Sequence, residues 1–244
     1  MACALHAAYH YAALNPSPSE AEQNPQNDHQ GLLAAHSATR AFERWFDKEP
    51  ESGRIPLPGA VITVSGPHGT GKSTYAKALA DALSLRYVSA GELFRDLAKQ
   101  HKLSLEAFSH RAAEDPSIDR MLDERTKAEA RKGGVVIDAQ LGAWMVRDLA
   151  DVTVLLTAPD EVRFKRIAER DGSKVADAMR ETKNRESIQK QRYRKYYGID
   201  VTDLSIYDLK IDTSLYSIEK TKAIIMDAVR NFLMQRGKLK ESAS

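Results

Sequence analysis

The sequence is poor in cysteine and has no long apolar run. Cys3 is its single cysteine, so a disulfide framework within the chain is excluded, which fits a reducing cytoplasm. No stretch approaches the roughly 20 consecutive apolar residues that a membrane-spanning helix needs. No lysine or arginine precedes Arg40, a pattern typical neither of a secretory signal nor of an Arg-rich transit peptide. We therefore expect a cytoplasmic protein with no membrane partner.

An excess of either charge is also lacking. The net charge is +2, which does not indicate binding to nucleic acid. Residues 1–58 contain four Lys/Arg and seven Asp/Glu, so the positive excess lies in residues 59–244. We expect an anionic ligand to bind in that larger part of the chain.

Residues 1–58 lack the apolar periodicity of the rest. Residues 15–30 are rich in Pro, Ser, Asn, Gln and Glu, a composition typical of disorder, and residues 31–46 could form one short helix. Because a short helix cannot bury its own apolar face, we favour a loosely attached N-terminal extension over a regulatory or partner-binding arm. We expect this extension to be largely disordered, residues 59–238 to form one domain, and residues 239–244 to be a C-terminal tail.

Apolar runs alternate with helical patterns in the domain. The runs at 60–65, 87–88, 134–138, 152–157 and 209–212 predict strands. Helices are predicted at 72–83, 92–113, 116–132, from residue 160 onward, and at 217–236. In the last helix, the residues expected to face inward are Ile218, Ile225, Val229 and Phe232. The alternation predicts an α/β fold with a parallel sheet covered by helices on both faces.

Residues 66–74 read G-P-H-G-T-G-K-S-T and follow the first predicted strand. They match the phosphate-binding (Walker A) pattern G-x-x-x-x-G-K-[ST], in which the glycines let backbone N–H groups point at phosphate oxygens. Lys72 would reach the β- and γ-phosphates of ATP, and Ser73 would ligate Mg²⁺. At the variable position 68 we expect a side chain that faces away. The predicted ATP-binding residues of this loop are Gly66, Pro67, His68, Gly69, Thr70, Gly71, Lys72, Ser73 and Thr74.

Two further features suit phosphoryl transfer. Asp138 ends the third predicted strand, where a carboxylate would orient Mg²⁺ or its water, although an Asp that caps the next turn is the alternative. After the second strand, Ser89, Gly91 and Arg95 lie where the chain runs into a helix. These three residues could hold a second phosphate group opposite the first.

Basic residues cluster between positions 163 and 195. Arg163, Arg166 and Arg170 are three and four residues apart, and Arg185 and Arg192 are seven apart, so each set shares one helix face. Phosphoryl transfer is catalysed chiefly by positioning and charge stabilisation, which arginines on a closing flap would supply. Interleaved acidic residues would also fit a solvated helix, but the phosphate loop favours a functional role for at least some of these arginines.

Several motifs together carry a family resemblance. The phosphate loop, S-A-G-E-L-F-R, V-V-I-D, R-I-A-E-R-D-G and R-Y-R-K-Y-Y-G-I-D make residues 60–235 resemble the nucleoside monophosphate kinases. The stretch Y-D-L-K-I-D-T-S-L-Y-S-I-E at 207–219 is similar to archaeal-type cytidylate kinases. The resemblance implies a P-loop NTPase three-layer sandwich with strand order 2-3-1-4-5, a helical monophosphate-binding insert at 103–132 and a lid. It also implies transfer of the γ-phosphoryl of ATP to CMP or dCMP with Mg²⁺, and we expect a monomer.

The same resemblance assigns roles to residues. Lys72, Arg170, Arg185 and Arg192 would be catalytic, and Arg166 would join the loop in binding ATP. Ser73 and Asp138 would bind Mg²⁺. The monophosphate would be bound by Ser89, Gly91, Arg95 and Gln140.

Gln140 departs from the family pattern, as does Ala90, which stands where relatives with S-T-G or D-S-G carry a hydroxyl. Relatives usually have an arginine at the position of Gln140 that binds the monophosphate's phosphate. A charge-assisted hydrogen bond contributes about 1.5–3 kcal/mol, against roughly 1 kcal/mol for a neutral one. Weaker monophosphate binding is therefore expected unless another arginine compensates, and Arg147 is the nearest candidate for that role.

The base-recognising residues do not follow from the sequence, and two other functions stay open. Asp119, Arg120, Asp123 and Arg125 of the insert could contact cytosine, but we expect most of them to be solvated. A kinase for another monophosphate, such as AMP or UMP, would keep the same mechanism. A P-loop switch or ATPase would need a glutamate beside the third-strand acid to activate water, and here Ala139 follows Asp138.

Overall fold

The computed structural model describes Leu57 and residues 59–239, and it contains a five-stranded parallel sheet. The strands are β1 (Val61–Ser65), β2 (Arg86–Ser89), β3 (Val135–Asp138), β4 (Val152–Thr157) and β5 (Leu209–Asp212). Their order in the sheet is β2-β3-β1-β4-β5. This confirms both the predicted fold class and the strand order implied by the resemblance. The predictions for residues 1–56, 58 and 240–244 lie outside the described residues.

Eight helices connect and flank the strands in this described part. They are α1 (Lys72–Ala82), α2 (Ala90–Gln100), α3 (Leu105–Glu114), α4 (Pro116–Arg131), α5 (Gly142–Met145), α6 (Asp160–Asp171), α7 (Val175–Tyr197) and α8 (Ile218–Gln235). None of the described helices is long and apolar enough to cross a membrane.

The central strand β1 positions the phosphate loop. Its residues are buried because β3 and β4 pair with it on either side, with Ile62 opposite both Val136 and Val152. The chain leaves β1 at the carboxyl edge of the sheet, where neighbouring connections diverge to opposite sides. Open parallel sheets bind ligands at such a switch point.

One predicted helix is in fact two. The expected helix at 92–113 is interrupted at 101–104, where Lys102 has a φ of +55° and the Leu103 N–H donates to the Ala98 carbonyl at 3.0 Å. The Ser104 hydroxyl then caps α3 by accepting from the Ala107 N–H at 3.1 Å. The break lets α3 fold back on α2, so that the Phe94 and Phe108 rings meet edge to face with centroids 4.8 Å apart.

The last helix corrects a second prediction. Ile225 and Val229 are buried as expected, but Ile218 is 54% exposed. Ser217 is the N-cap of α8, so Ile218 lies in the first turn. Gly237, at a φ of +66°, follows the helix end as predicted.

Candidate active site

A cavity of about 870 Å³ lies at the carboxyl edge of the sheet, between the phosphate loop and helices α4 and α7. Most of the predicted site residues line it. From the first predicted phosphate site and the metal pair these are His68, Gly69, Gly71, Lys72, Ser73, Thr74 and Asp138. From the second predicted site and the arginines these are Ser89, Gly91, Arg95, Gln140, Arg166, Arg170, Arg185 and Arg192.

The shape of the phosphate loop depends on its glycines. Gly66 and Gly69 have φ angles of +145° and +81°. A Cβ on Gly66 would collide with the Leu156 carbonyl, and one on Gly69 would lie 2.6 Å from the Arg163 carbonyl oxygen. Gly71 caps α1 without a side-chain hydrogen bond, so N–H groups of the first turn stay free for an anion.

Lys72 begins α1 and its side chain lies in the loop. Its ammonium donates to the Pro67 carbonyl at 2.9 Å. Burial lowers the pKa of Lys72, although the nearby carboxylates Asp138 and Glu186 oppose the shift. A cation that is already desolvated interacts strongly with an incoming phosphate.

The predicted metal pair is in contact. The Ser73 hydroxyl donates to the Asp138 carboxylate at 2.6 Å, across the gap between α1 and β3. Tyr87, which the sequence did not single out, donates to the same carboxylate oxygen at 2.9 Å, and burial and Asp138 raise the pKa of Tyr87 to about 12. No group of three or more His, Cys, Asp or Glu side chains that could hold a metal occurs in the described residues. Ser73 and Asp138 supply hard oxygen ligands that fit a Mg²⁺ completed by phosphate oxygens and water.

The residues of the second predicted phosphate site contact other groups of the protein. The Ser89 hydroxyl caps α2 by accepting from the Glu92 N–H at 3.2 Å. Arg95 lies across Gly91, where an added Cβ would be 3.5 Å from its guanidinium. The Gln140 side-chain oxygen accepts from the Tyr193 hydroxyl at 3.2 Å.

Arg147 is not among the cavity residues. It is exposed and donates to the Ile206 carbonyl at 3.1 Å. The suggestion that it compensates for Gln140 was therefore wrong, because α5 lies between the two residues in the chain and the Arg147 side chain binds the Ile206 carbonyl instead. Arg95 does line the cavity.

Arg163 binds the backbone of the phosphate loop. It is 5% exposed, donates to the His68 carbonyl at 2.8 Å, and forms ion pairs with Glu186 at 2.7 Å and Asp160 at 2.6 Å. Glu186 in turn accepts from the His68 N–H at 3.0 Å. We call Arg163, Glu186 and the His68 backbone the loop latch. It fastens the phosphate loop to α6 and α7.

The remaining arginines have different partners. Arg166 donates to the hydroxyl and the carbonyl of Thr213 at 2.9 and 2.8 Å. Arg170 pairs with the adjacent Asp171 at 2.7 Å. Arg185 lines the cavity, and burial is the first cause that lowers its pKa. Arg192 is 4% exposed and pairs with Asp119 of α4 at 2.7 Å.

We expected the His68 side chain to face away from the site, and this expectation was wrong. The side chain lines the cavity and is partly buried beside Gln189 of α7. Burial, with smaller contributions from Lys72 and Arg185, holds the pKa of His68 well below its ordinary value. The imidazole is therefore neutral near pH 7.

Two facing helix surfaces form the opposite end of the cavity, which we call the helix end. From α4 it contains Asp119, Leu122, Asp123 and Thr126, and from α7 it contains Gln189, Arg192, Tyr193 and Tyr197. The spacing of three and four residues places each set on one face. Asp119 is 4% exposed, which corrects the expectation that it is solvated. Arg120 and Arg125 are exposed as expected.

Comparison with known proteins agrees with this geometry. Residues 61–215 match the family model described as "Cytidylate kinase-like family". A protein of Staphylothermus marinus named "Cytidylate kinase" is 51% identical over 175 residues, which are 72% of this chain and 99% of the relative. Relatives with the same name from Aeropyrum pernix and Halobacterium salinarum are 50% and 42% identical and cover 68% and 72% of this chain, with 97% and 92% of their own lengths matched.

A solved structure shares the fold. An uncharacterized protein from Eubacterium ventriosum superposes with a TM-score of 0.52 at 18% identity, covering 70% of this chain and 98% of that one. At that identity the likeness concerns the fold alone. The family model spans every strand of the sheet and all the cavity-lining residues except Ile218. The chain belongs to the cytidylate kinase-like family.

Proposed function

We propose that the protein is a cytidylate kinase, which transfers the γ-phosphoryl group of ATP to CMP or dCMP and forms ADP with CDP or dCDP. One observation carries the proposal. The phosphate loop and a second group of phosphate-binding candidates, Arg95 with Gln140, line the same cavity. This arrangement suits a donor and an acceptor nucleotide that meet phosphate to phosphate. The names of the relatives support cytidylate as the acceptor.

The reaction needs little covalent chemistry from the protein. An oxygen of the acceptor phosphate attacks the γ-phosphorus, and the bond from that phosphorus to the bridging oxygen of ADP breaks. Lys72 and the free N–H groups of α1 would stabilise the charge of the donor phosphates. Arg170, Arg185 and Arg192 remain our candidates for the charge on the transferred group. Of these, Arg192 is tied to Asp119 and Arg170 to Asp171, so Arg185 is the one most available.

Ser73 and Asp138 are the proposed Mg²⁺ ligands. When bound, the ion neutralises charge on the donor phosphates. Tyr87 donates to the Asp138 oxygen that contacts Ser73, so it would orient that carboxylate. We also propose that the enzyme is a cytoplasmic monomer, which light scattering of the purified chain would test.

A coupled assay of ADP formation with CMP, dCMP, UMP, AMP and GMP tests the proposal. We expect the highest kcat/KM with CMP or dCMP. A clear preference for AMP or UMP would favour the alternative acceptor. Release of inorganic phosphate from ATP at the same rate without any acceptor would instead identify an ATPase.

A further inference from the structure

The helix end of the cavity contains two carboxyl groups in unlike surroundings. Asp119 and Asp123 are four residues apart on α4, and both line the cavity. The Asp119 carboxylate has a full countercharge in Arg192 at 2.7 Å. The Asp123 carboxylate accepts from the Tyr197 hydroxyl, and no ion pair to it occurs in the described residues. Of the two carboxylates, Asp123 is thus the one that lacks an ion-pair partner among the described residues.

Asp123 is partly buried, and a carboxylate removed from water without an ion-pair partner is costly unless donors satisfy its oxygens. Burial is the main cause that raises the pKa of Asp123. The Tyr197 hydroxyl donates to Oδ2, and no donor to Oδ1 occurs in the part of the chain that the structure describes. Burial and the bond to Asp123 raise the pKa of Tyr197, so the phenol stays protonated and remains a donor. Tyr197 therefore fixes one oxygen while the other is free to accept from a ligand.

The position along α7 indicates which part of a ligand reaches Asp123. Glu186 touches the phosphate loop, and Tyr197 is eleven residues further along the same helix. At 1.5 Å per residue this separation is about 16 Å. An acceptor nucleotide with its phosphate near Arg185 and Arg95 would therefore direct its base toward Tyr197 and Asp123.

The chemistry of the base edge then decides recognition. Cytosine carries an exocyclic amino group that donates to a carboxylate, whereas uracil has a carbonyl oxygen at that position. Two acceptors facing one another would leave both buried oxygens unpaired. Sites built around such a hydrogen bond reject the mismatched analogue by far more than apolar pockets do.

We propose that Asp123, positioned by Tyr197, accepts a hydrogen bond from the exocyclic amino group of the acceptor base and so selects cytosine over uracil. The inference rests on the proposed function and adds a specificity-determining residue to it. Asp119 has a separate task, because it holds Arg192 between α4 and α7.

The test compares CMP with UMP as acceptors for the whole chain and its Asp123→Asn variant. The amide keeps the size of the carboxyl group but offers uracil a donor. We expect the ratio of kcat/KM for CMP over UMP to fall at least about 100-fold, with a rise in the value for UMP. Equilibrium binding of CMP and UMP, measured by calorimetry without ATP, should shift in the same direction.

The matched control is Glu124→Gln, which removes the same charge from the adjacent, exposed position of α4. It should leave the ratio unchanged. Tyr197→Phe should lower the ratio by a smaller factor, about tenfold, because the carboxylate loses its positioning donor. An equal change in Glu124→Gln and Asp123→Asn would reduce the effect to net charge and overturn the inference.

A substrate-side measurement avoids any dependence on the variant's folding. Wild-type enzyme is given a CMP analogue in which hydrogen replaces the 4-amino group. We expect its kcat/KM to fall toward that of UMP, and an undiminished value would refute the role of the amino group. If the wild-type enzyme prefers CMP and the Asp123→Asn variant keeps the same preference, the inference is refuted and the proposed function stands. A wild type inactive with CMP would refute both.

Discussion

The two ends of the cavity are built by different means. The loop end is formed by one stretch of nine consecutive residues, 66–74, six of which line the cavity, and it offers mainly backbone N–H groups and Lys72. The helix end consists of side chains from α4 and α7 that are about 70 residues apart in sequence, and it contains buried charges held by specific partners, such as Asp119 with Arg192. The loop end suits any triphosphate, whereas the helix end has the directional groups that can distinguish one acceptor from another.

The largest expected effect concerns the loop end. Lys72→Ala should lower kcat by about 10³-fold or more, because a preorganised, desolvated charge next to the donor phosphates is lost. The control is Lys99→Ala, which removes a lysine whose side chain is 81% exposed and should change nothing measurable. Steady-state rates with CMP check both. Near-normal turnover of a folded Lys72→Ala variant would contradict the assigned role.

Arg185 lies between the two ends, and its substitution tests whether it acts on the transferred phosphoryl group. Arg185→Ala should lower kcat by about 100-fold with a smaller change in KM, since its charge would act on the transferred group. Arg180 is on the same helix but 78% exposed, and Arg180→Ala serves as the control. If KM for the acceptor rose while kcat held, Arg185 would belong to ground-state binding.

Gln140 tests how much charge the acceptor's phosphate site lacks. Gln140→Arg should lower the KM for CMP about fivefold, as expected for a gain of roughly 1 kcal/mol from a charge-assisted bond. Tyr193 would lose its acceptor, which limits the gain. Arg147→Gln should leave KM unchanged because Arg147 contacts Ile206 outside the cavity. A KM for Gln140→Arg equal to wild type would show that Arg95 already supplies the charge.

The smallest effect concerns the stability of the loop end. The folded protein keeps His68 neutral, so below the ordinary pKa of 6.5 the unfolded chain binds more protons than the folded one. Stability is therefore lost as the pH falls below about 6.5, and His68→Asn should weaken this loss. Urea unfolding at pH 7.5 and pH 5 measures it. His110→Asn, at an exposed position, should retain the wild-type difference.

The same contrast explains what the sequence could predict. The phosphate loop and the five strands follow from contiguous patterns, and all five strands agree with the predicted ranges to within one residue at each end. The break between α2 and α3 was missed because Lys102, a non-glycine residue, adopts a left-handed conformation. Asp119 and Asp123 of the helix end were named as possible cytosine contacts, but the sequence favoured solvated positions because their partners Arg192 and Tyr197 are distant in the chain.

The loop latch limits how far the phosphate loop can be moved to another protein. The nine-residue phosphate loop looks like a portable cassette, since its pattern is recognised wherever it occurs. In this protein the backbone of His68 is held by Arg163 and Glu186, which lie 95 and 118 residues downstream. Transplanting residues 66–74 into another scaffold would therefore transfer the sequence of the loop without its shape. A faithful graft must carry both side chains of the latch.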